Sequence, residues 1–234
     1  MSLYLNLLFF SFIIPFTFSF HPKIKFNKYF IPLFLSLFSS SIPFILHDIY
    51  FTYLGVWGFN QEYHGDIFLI NLPLEEILFF IIIPFCCLFT YFVLKKFEKF
   101  NLKYNRKVLR LFSFLLIIIG LVFYEKSYTL FVFLVASLLI LKISYSQSKW
   151  DGYFLSTYIM ITLFPFIIIN GILTGYLDIN NPPVWYNQSE IIGIKVFNII
   201  PIEDFFYSFI LLYINFFLFE FFCSKMSLYE NKRD

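Results

Sequence analysis

Charge is scarce in this chain. Asp, Glu, Lys and Arg together make up 14% of its 234 residues, against about a quarter in a soluble domain. Hydrophobic residues make up 60% and aromatic ones 25%, with a mean hydropathy of +0.78. That balance excludes a water-soluble domain and implies an all-α polytopic integral membrane protein. Cysteine is also rare. Cys86, Cys87 and Cys223 lie in or at the end of apolar runs, with no CxxC spacing and no nearby His pair. Neither a disulfide framework nor a metal site is therefore expected. The sequence also lacks a Gly-rich nucleotide loop, a Ser-His-Asp set and an Asp-rich metal pattern. A net charge of +2 says nothing by itself, whereas its placement does; no nucleic-acid partner is expected.

What is present is a series of apolar runs. A membrane-crossing helix needs about 20 mostly apolar residues, and seven candidates occur, at 3–20, 29–46, 74–94, 108–124, 128–143, 153–173 and 200–222. The fourth and fifth are joined only by Glu125-Lys126-Ser127, which predicts a tight hairpin. The first run lacks the basic start of a secretory signal and is expected to be retained.

Basic residues collect in alternate loops: Lys23, Lys25 and Lys28; Lys95 to Arg110; Lys142 and Lys149; and Lys225, Lys232 and Arg233 in the tail. Residues 47–73 contain no Lys or Arg, and residues 174–199 contain only Lys195. Under the positive-inside rule the N-terminus lies outside and the C-terminus in the cytoplasm, as expected for a bacterial inner membrane.

Those base-poor loops contain an internal repeat. Val56-Trp57, Glu62, Gly65 and Pro73-Leu74-Glu75-Glu76 recur without a gap as Val184-Trp185, Glu190, Gly193 and Pro201-Ile202-Glu203-Asp204, at an offset of 128 positions. Asp48 and Thr52 match Asn170 and Thr174 at an offset of 122, which implies about six extra residues near 176–183. The chain therefore divides into halves at 1–107 and 108–234. An even number of crossings separates the matched helices, so the halves are expected to share one orientation and build a site between them.

Each acid pair has an ordinary explanation. Proline opens helices, and acids in a first turn complement the helix dipole. Acids in membrane segments are nonetheless functional hypotheses by default. Like charges gathered in a low dielectric cannot all ionise, so one carboxyl keeps a proton while a neighbour accepts one. Glu75, Glu76, Glu203 and Asp204 are the expected acid and base set, with proton transfer as the available chemistry. His47, beside Asp48, reads more readily as a helix-end residue than as a catalyst, and His64 lies in a loop. Trp57 and Trp185 fit an interfacial aromatic belt, but also a role in stabilising a cation.

Asn170-Gly-Ile-Leu-Thr174-Gly, Trp185-Tyr186-Asn187, Gly193 and Ile200-Pro-Ile-Glu-Asp204-Phe-Phe-Tyr resemble the second half of the two-subunit-type lycopene cyclases. Asp48, Trp57, Gly65, Leu72-Pro-Leu-Glu-Glu76 and Phe79-Phe80 resemble the first half. Lys195 departs from an expected Arg; the charge is kept and the bidentate geometry lost. The resemblance covers nearly the whole chain and looks like the fused, single-chain form.

It implies conversion of the ψ end groups of lycopene to β-ionone rings, giving β-carotene. Glu75, Glu76, Glu203 and Asp204 would be catalytic, and Asp48, Trp57, Asn170, Thr174 and Trp185 would contact the substrate. The chain carries no dinucleotide fingerprint, so no cofactor is expected. The partners implied are a carotenoid within the bilayer, membrane lipid and other carotenoid enzymes. Competing readings are an ε-, γ- or long-chain end-group cyclase, and a seven-helix transporter or receptor with an acidic outer vestibule. The near absence of polar residues in the helix cores weighs against the transporter.

Overall fold

A computed structural model describes residues 2–148, 150–226 and 228. Lys149, Lys232 and Arg233 of the basic segments lie outside the described residues. The chain is mostly helical: α1 (Leu3–Ser19), α2 (Phe30–Tyr53, entered through a 3-10 turn, Phe26–Tyr29), α3 (Leu74–Lys96), α4 (Arg106–Val122), α5 (Ser127–Tyr145), α6 (Trp150–Tyr176) and α7 (Ile202–Lys225). Five of these, α2, α3, α5, α6 and α7, are long and apolar enough to cross a membrane. Helices α1 and α4 have 17 residues each. The outward faces are apolar as well, with Phe10, Ile31, Phe38, Ile118 and Phe164 all exposed. That is the surface a bilayer covers, and the protein is a membrane protein.

The bundle is stitched across its two sequence halves. Helix α1 packs on α3 and α5 on α7, whereas α2 packs on α7 and α3 on α6. Polar contacts fix some of these crossings. Buried Ser40 of α2 donates to Asn215 of α7 at 2.7 Å, and Tyr158 of α6 donates to the Phe205 carbonyl of α7 at 2.6 Å. At the basic end of the bundle, Lys95 and Tyr91 of α3 both reach Glu220 of α7, at 2.6 and 2.7 Å. Each such bond matters because an unpaired polar group inside apolar packing costs several kcal/mol.

An all-helical reading misses six short strands at the acidic end. Strand β1 (Trp57–Phe59) pairs antiparallel with β4 (Val184–Tyr186), in the register Trp57 to Tyr186 and Gly58 to Trp185. Two small hairpins, β2 (Phe68–Leu69) with β3 (Leu72–Pro73) and β5 (Lys195–Val196) with β6 (Ile200–Pro201), lead directly into α3 and α7. Ile70 and Asn198, at the 128-residue offset, both turn through the left-handed region, with φ of 62° and 63°. The strands are too short for any two-residue periodicity to register in the sequence. Helix α6 also runs farther than expected, through two π-type turns at Thr162–Phe166 and Ile172–Tyr176.

The loop after α3 docks on the start of α6. Leu102 N–H donates to the Gly152 carbonyl at 3.2 Å and to Ser156 Oγ at 3.0 Å. A Cβ on Gly152 would sit 2.6 Å from the Leu102 carbonyl oxygen, which is backbone and cannot rotate away. Gly152→Ala is therefore expected to cost about 1–3 kcal/mol through overpacking. A drop in the melting temperature of the detergent-solubilised protein is the measurement that checks it.

Candidate functional site

The two repeated acid pairs open α3 and α7, because Pro73 and Pro201 end each hairpin and release the chain into a helix. Within each pair the two acids face different surroundings. They are adjacent in sequence, about 100° apart around the helix.

The first acid of each pair holds a loop. Glu75 accepts from the Gly65 backbone N–H at 2.8 Å and from Ser2 Oγ, the N-cap of α1, at 2.7 Å. Glu203 accepts from the Ile192 backbone N–H at 2.7 Å and from Thr129 Oγ1 of α5 at 2.6 Å. Each ties its own hairpin to the start of a neighbouring helix. Neither lines the cavity described next. Glu62 and Glu190 lie outside it too; Glu62 accepts from Asn181 Nδ2, and Glu190 from the Ser127 N–H that begins α5.

The second acids, Glu76 and Asp204, turn inward and line one cavity of about 380 Å³ together with Asp48. All three are buried. Tyr4 of α1 donates to Glu76 Oε2, and Tyr128 of α5 donates to Asp204 Oδ1 at 2.8 Å. Asp204 Oδ2 also receives Asn170 Nδ2 at 2.7 Å and Tyr186 Oη at 3.0 Å. Asp204 is thus held by three donors, a setting that suits a carboxylate.

Glu76 is held differently. It lies within electrostatic reach of Asp48 and of Asp204, and Asp48 Oδ2 is buried without a hydrogen-bond partner among the described residues. Asp48 and Asn170 are matched positions of the repeat, so the two environments differ at this place. Asn170 supplies a donor to its acid; Asp48 supplies a second carboxyl.

Four aromatic rings enclose these acids. Trp57 meets Tyr128 edge-on at 5.0 Å, Tyr128 stacks with Tyr186 at 6.0 Å, and Tyr207 stands 6.0 Å from Tyr128. Burial and the neighbouring carboxylate of Asp204 push the Tyr186 phenol well above its usual range, so it remains a hydroxyl donor. The Tyr207 hydroxyl is buried in the cavity wall without a hydrogen-bond partner among the described residues. The β1–β4 ribbon lays Trp57, Phe59, Val184 and Tyr186 over the acidic end of the cavity. Elsewhere the lining is Phe, Ile and Leu with isolated Ser, Thr and Cys.

The remaining residues singled out in the sequence are divided by the fold. Trp57 is buried in the cavity wall, while Trp185 is 44% exposed and outside it. Thr174 donates back to the Asn170 carbonyl at 2.8 Å and bends its own helix end rather than facing the cavity. His47 is sandwiched between Phe51 and Phe131, with ring centroids 4.0 and 4.2 Å away, and neither ring nitrogen finds a hydrogen-bond partner among the described residues. Sequence reasoning missed Tyr4 and Tyr128. They stand near the starts of α1 and α5, and nothing in their spacing marks them among 17 tyrosines. Tyr186 and Tyr207 lay inside the quoted motifs and were legible there.

Among the described residues, no group of His, Cys, Asp and Glu is arranged to hold a metal ion. The site therefore offers buried carboxyls, phenols and aromatic faces in an apolar chamber, a set suited to proton transfer onto a hydrocarbon. A protein-family model for lycopene cyclase matches residues 1–94 and 125–222. No curated protein and no solved structure matches the chain. The match covers most of the chain, and the chain belongs to the lycopene cyclase family, whose members are carotenoid cyclases.

Proposed function

From that membership we propose that the protein closes the ψ end groups of lycopene to β-ionone rings by acid–base isomerisation, with no cofactor taking part. The observation that carries this reading is the meeting of Asp48, Glu76 and Asp204 in one aromatic-walled apolar cavity. In this reading Asp48 and Glu76, two buried carboxyls within electrostatic reach of each other, share one proton and are the acid. Asp204, fixed by its three donors, is the base.

The reaction balances without a redox partner. The Asp48–Glu76 pair gives its proton to the terminal alkene of the end group. The resulting tertiary cation is attacked by the internal alkene, which forms the ring bond and leaves the positive charge on a ring carbon. Asp204 then removes a proton from the adjacent carbon, forming the ring double bond. Return of that proton from Asp204 to Glu76, which are within electrostatic reach, resets the site. Trp57, Tyr128, Tyr186 and Tyr207 present ring faces to the passing cation, an interaction worth about 2 kcal/mol or more when desolvated. Excluding water matters equally, because water would trap the cation as an alcohol.

Glu75 and Glu203 are assigned in this reading to positioning rather than to proton transfer. The architecture is read as two repeats of like orientation with seven spans, the N-terminus and the acidic cluster outside and the basic loops in the cytoplasm.

Expression in bacteria that accumulate lycopene tests the reaction directly. The extracted pigment should shift to β-carotene, with a monocyclic intermediate at early times. Unchanged lycopene in cells whose membranes contain the protein would reject the reading. Rings with a differently placed double bond would keep the acid–base mechanism but move the base relative to the ring.

A further inference from the structure

The cavity needs an entrance for a long hydrocarbon, and buried or half-buried residues line both of its ends. The β1–β4 ribbon covers the acidic end. Thr90 and Leu211–Leu212 line the other end, roughly 20 Å down α3 from Glu76 by helix rise. On one side the wall changes character. Ile14 and Pro15 of α1 and Pro165 and Phe166 of α6 line the cavity, yet Ile14 is 63% exposed and Pro165 is exposed as well. Residues that face the cavity and the outside together mark its mouth. Helices α1 and α6 each pack on α3 and have no extensive packing on each other.

The depth of this mouth is informative. Pro15 lies roughly 16 Å along α1 from Tyr4, and Pro165 roughly 7 Å along α6 from Asn170, at 1.5 Å per residue. The opening therefore lies below the carboxylates, in the part of the bundle whose outer surface is apolar. The helix on each side is also locally loosened by proline. Pro15 cannot donate to the Ser11 carbonyl, which instead accepts Cys86 Sγ at 3.3 Å. Pro165 falls within the π-type turn Thr162–Phe166, a feature that often marks functional sites.

We propose that this gap between α1 and α6 is a lateral portal. A carotenoid end group enters it from the lipid, and the gap then holds the polyene while the end group lies against Asp48, Glu76 and Asp204. The proposal rests on the cyclase reading above and adds a polyene-binding subsite to it. It has a kinetic consequence. One chamber serves both halves of the repeat, so a symmetric substrate is cyclised one end at a time, and the second ring requires release and re-entry.

The test narrows the gap from the lipid side. Ile14→Trp and Phe166→Trp, separately and together, are compared with Ile118→Trp, an exposed position on α4 outside the cavity. The proteins are reconstituted in proteoliposomes loaded with lycopene. Two quantities are read: carotenoid retained per protein after purification, and the rate of ring formation. The portal variants should lose about tenfold or more in kcat/KM and retain less carotenoid, with the single-turnover rate of the loaded fraction unchanged and Ile118→Trp unaffected. The melting temperature and folded yield of the Trp variants, read beside those of Ile118→Trp, guard against a folding artefact.

Wild-type kcat/KM in both Trp variants and in their combination overturns the portal. If the unaltered protein forms no ring, the cyclase reading falls, and carotenoid retention alone then judges the gap. Retention that the Trp variants leave intact, or that no variant and no unaltered protein displays, also overturns it.

Discussion

Glu76→Gln and Asp204→Asn are each expected to reduce ring formation by about 10²–10⁴-fold, the range that a positioned general acid or base contributes. Both substitutions keep shape and one acceptor oxygen, although at position 204 the amide nitrogen replaces the oxygen that takes Asn170 and Tyr186. Tyr4 still has an oxygen to donate to at position 76, and Tyr128 one at position 204. What each removes is the ability to hold and pass a proton.

Asp48→Asn carries a sharper meaning, because it puts beside the first acid the residue type that Asn170 already provides at the matched place beside the second. Activity should fall by a comparable factor if two facing carboxyls are needed to keep the proton. Full activity in Asp48→Asn with loss in Glu76→Gln would make Glu76 the sole acid. The measurement is initial-rate cyclisation of lycopene by equal amounts of membrane-inserted protein.

Glu203→Ala should act on the fold rather than on the chemical step. It leaves the Ile192 N–H and the Thr129 hydroxyl without their acceptor, and each buried group so orphaned costs about 1–3 kcal/mol. The expected result is a large drop in folded yield, with the β5–β6 hairpin released from α5. Glu203→Gln, which retains an acceptor oxygen, should recover most of the yield and much of the rate per folded molecule. If Glu203→Gln folded normally but cyclised at the level of Asp204→Asn, the first acid of the pair would belong to the proton path after all. Folded yield by detergent-resistant chromatography, read beside rate per molecule, separates these outcomes.

Much was legible in the sequence because it depends on composition and local order. Apolar runs specify helices wherever backbone groups must be satisfied without water, so the runs at 29–46, 74–94, 128–143, 153–173 and 200–222 all fall on helices that are long and apolar enough to cross a membrane. The acid clusters stood out for a related reason: charge is so scarce here that a repeated Pro-X-acid-acid segment has little competition. Family membership followed from the same motifs.

The division of labour within each acid pair was not legible. Glu75 and Glu76 are the same residue type, and Glu203 and Asp204 differ by a single methylene. Only the rotation of α3 against α1 and α2 sends one to the Gly65 loop and the other into the cavity. The same holds for Trp57 and Trp185, twins in sequence that the antiparallel pairing of β1 with β4 places on opposite sides of the ribbon's wall. Sequence by itself determined a helical membrane protein with two matched acidic segments, since hydropathy and repetition are properties of neighbouring residues. Tertiary structure decided which three carboxyls meet, which tyrosines hold them and where the chamber opens, since those depend on contacts between separate elements, as far apart in sequence as Tyr4 and Glu76 or Tyr128 and Asp204.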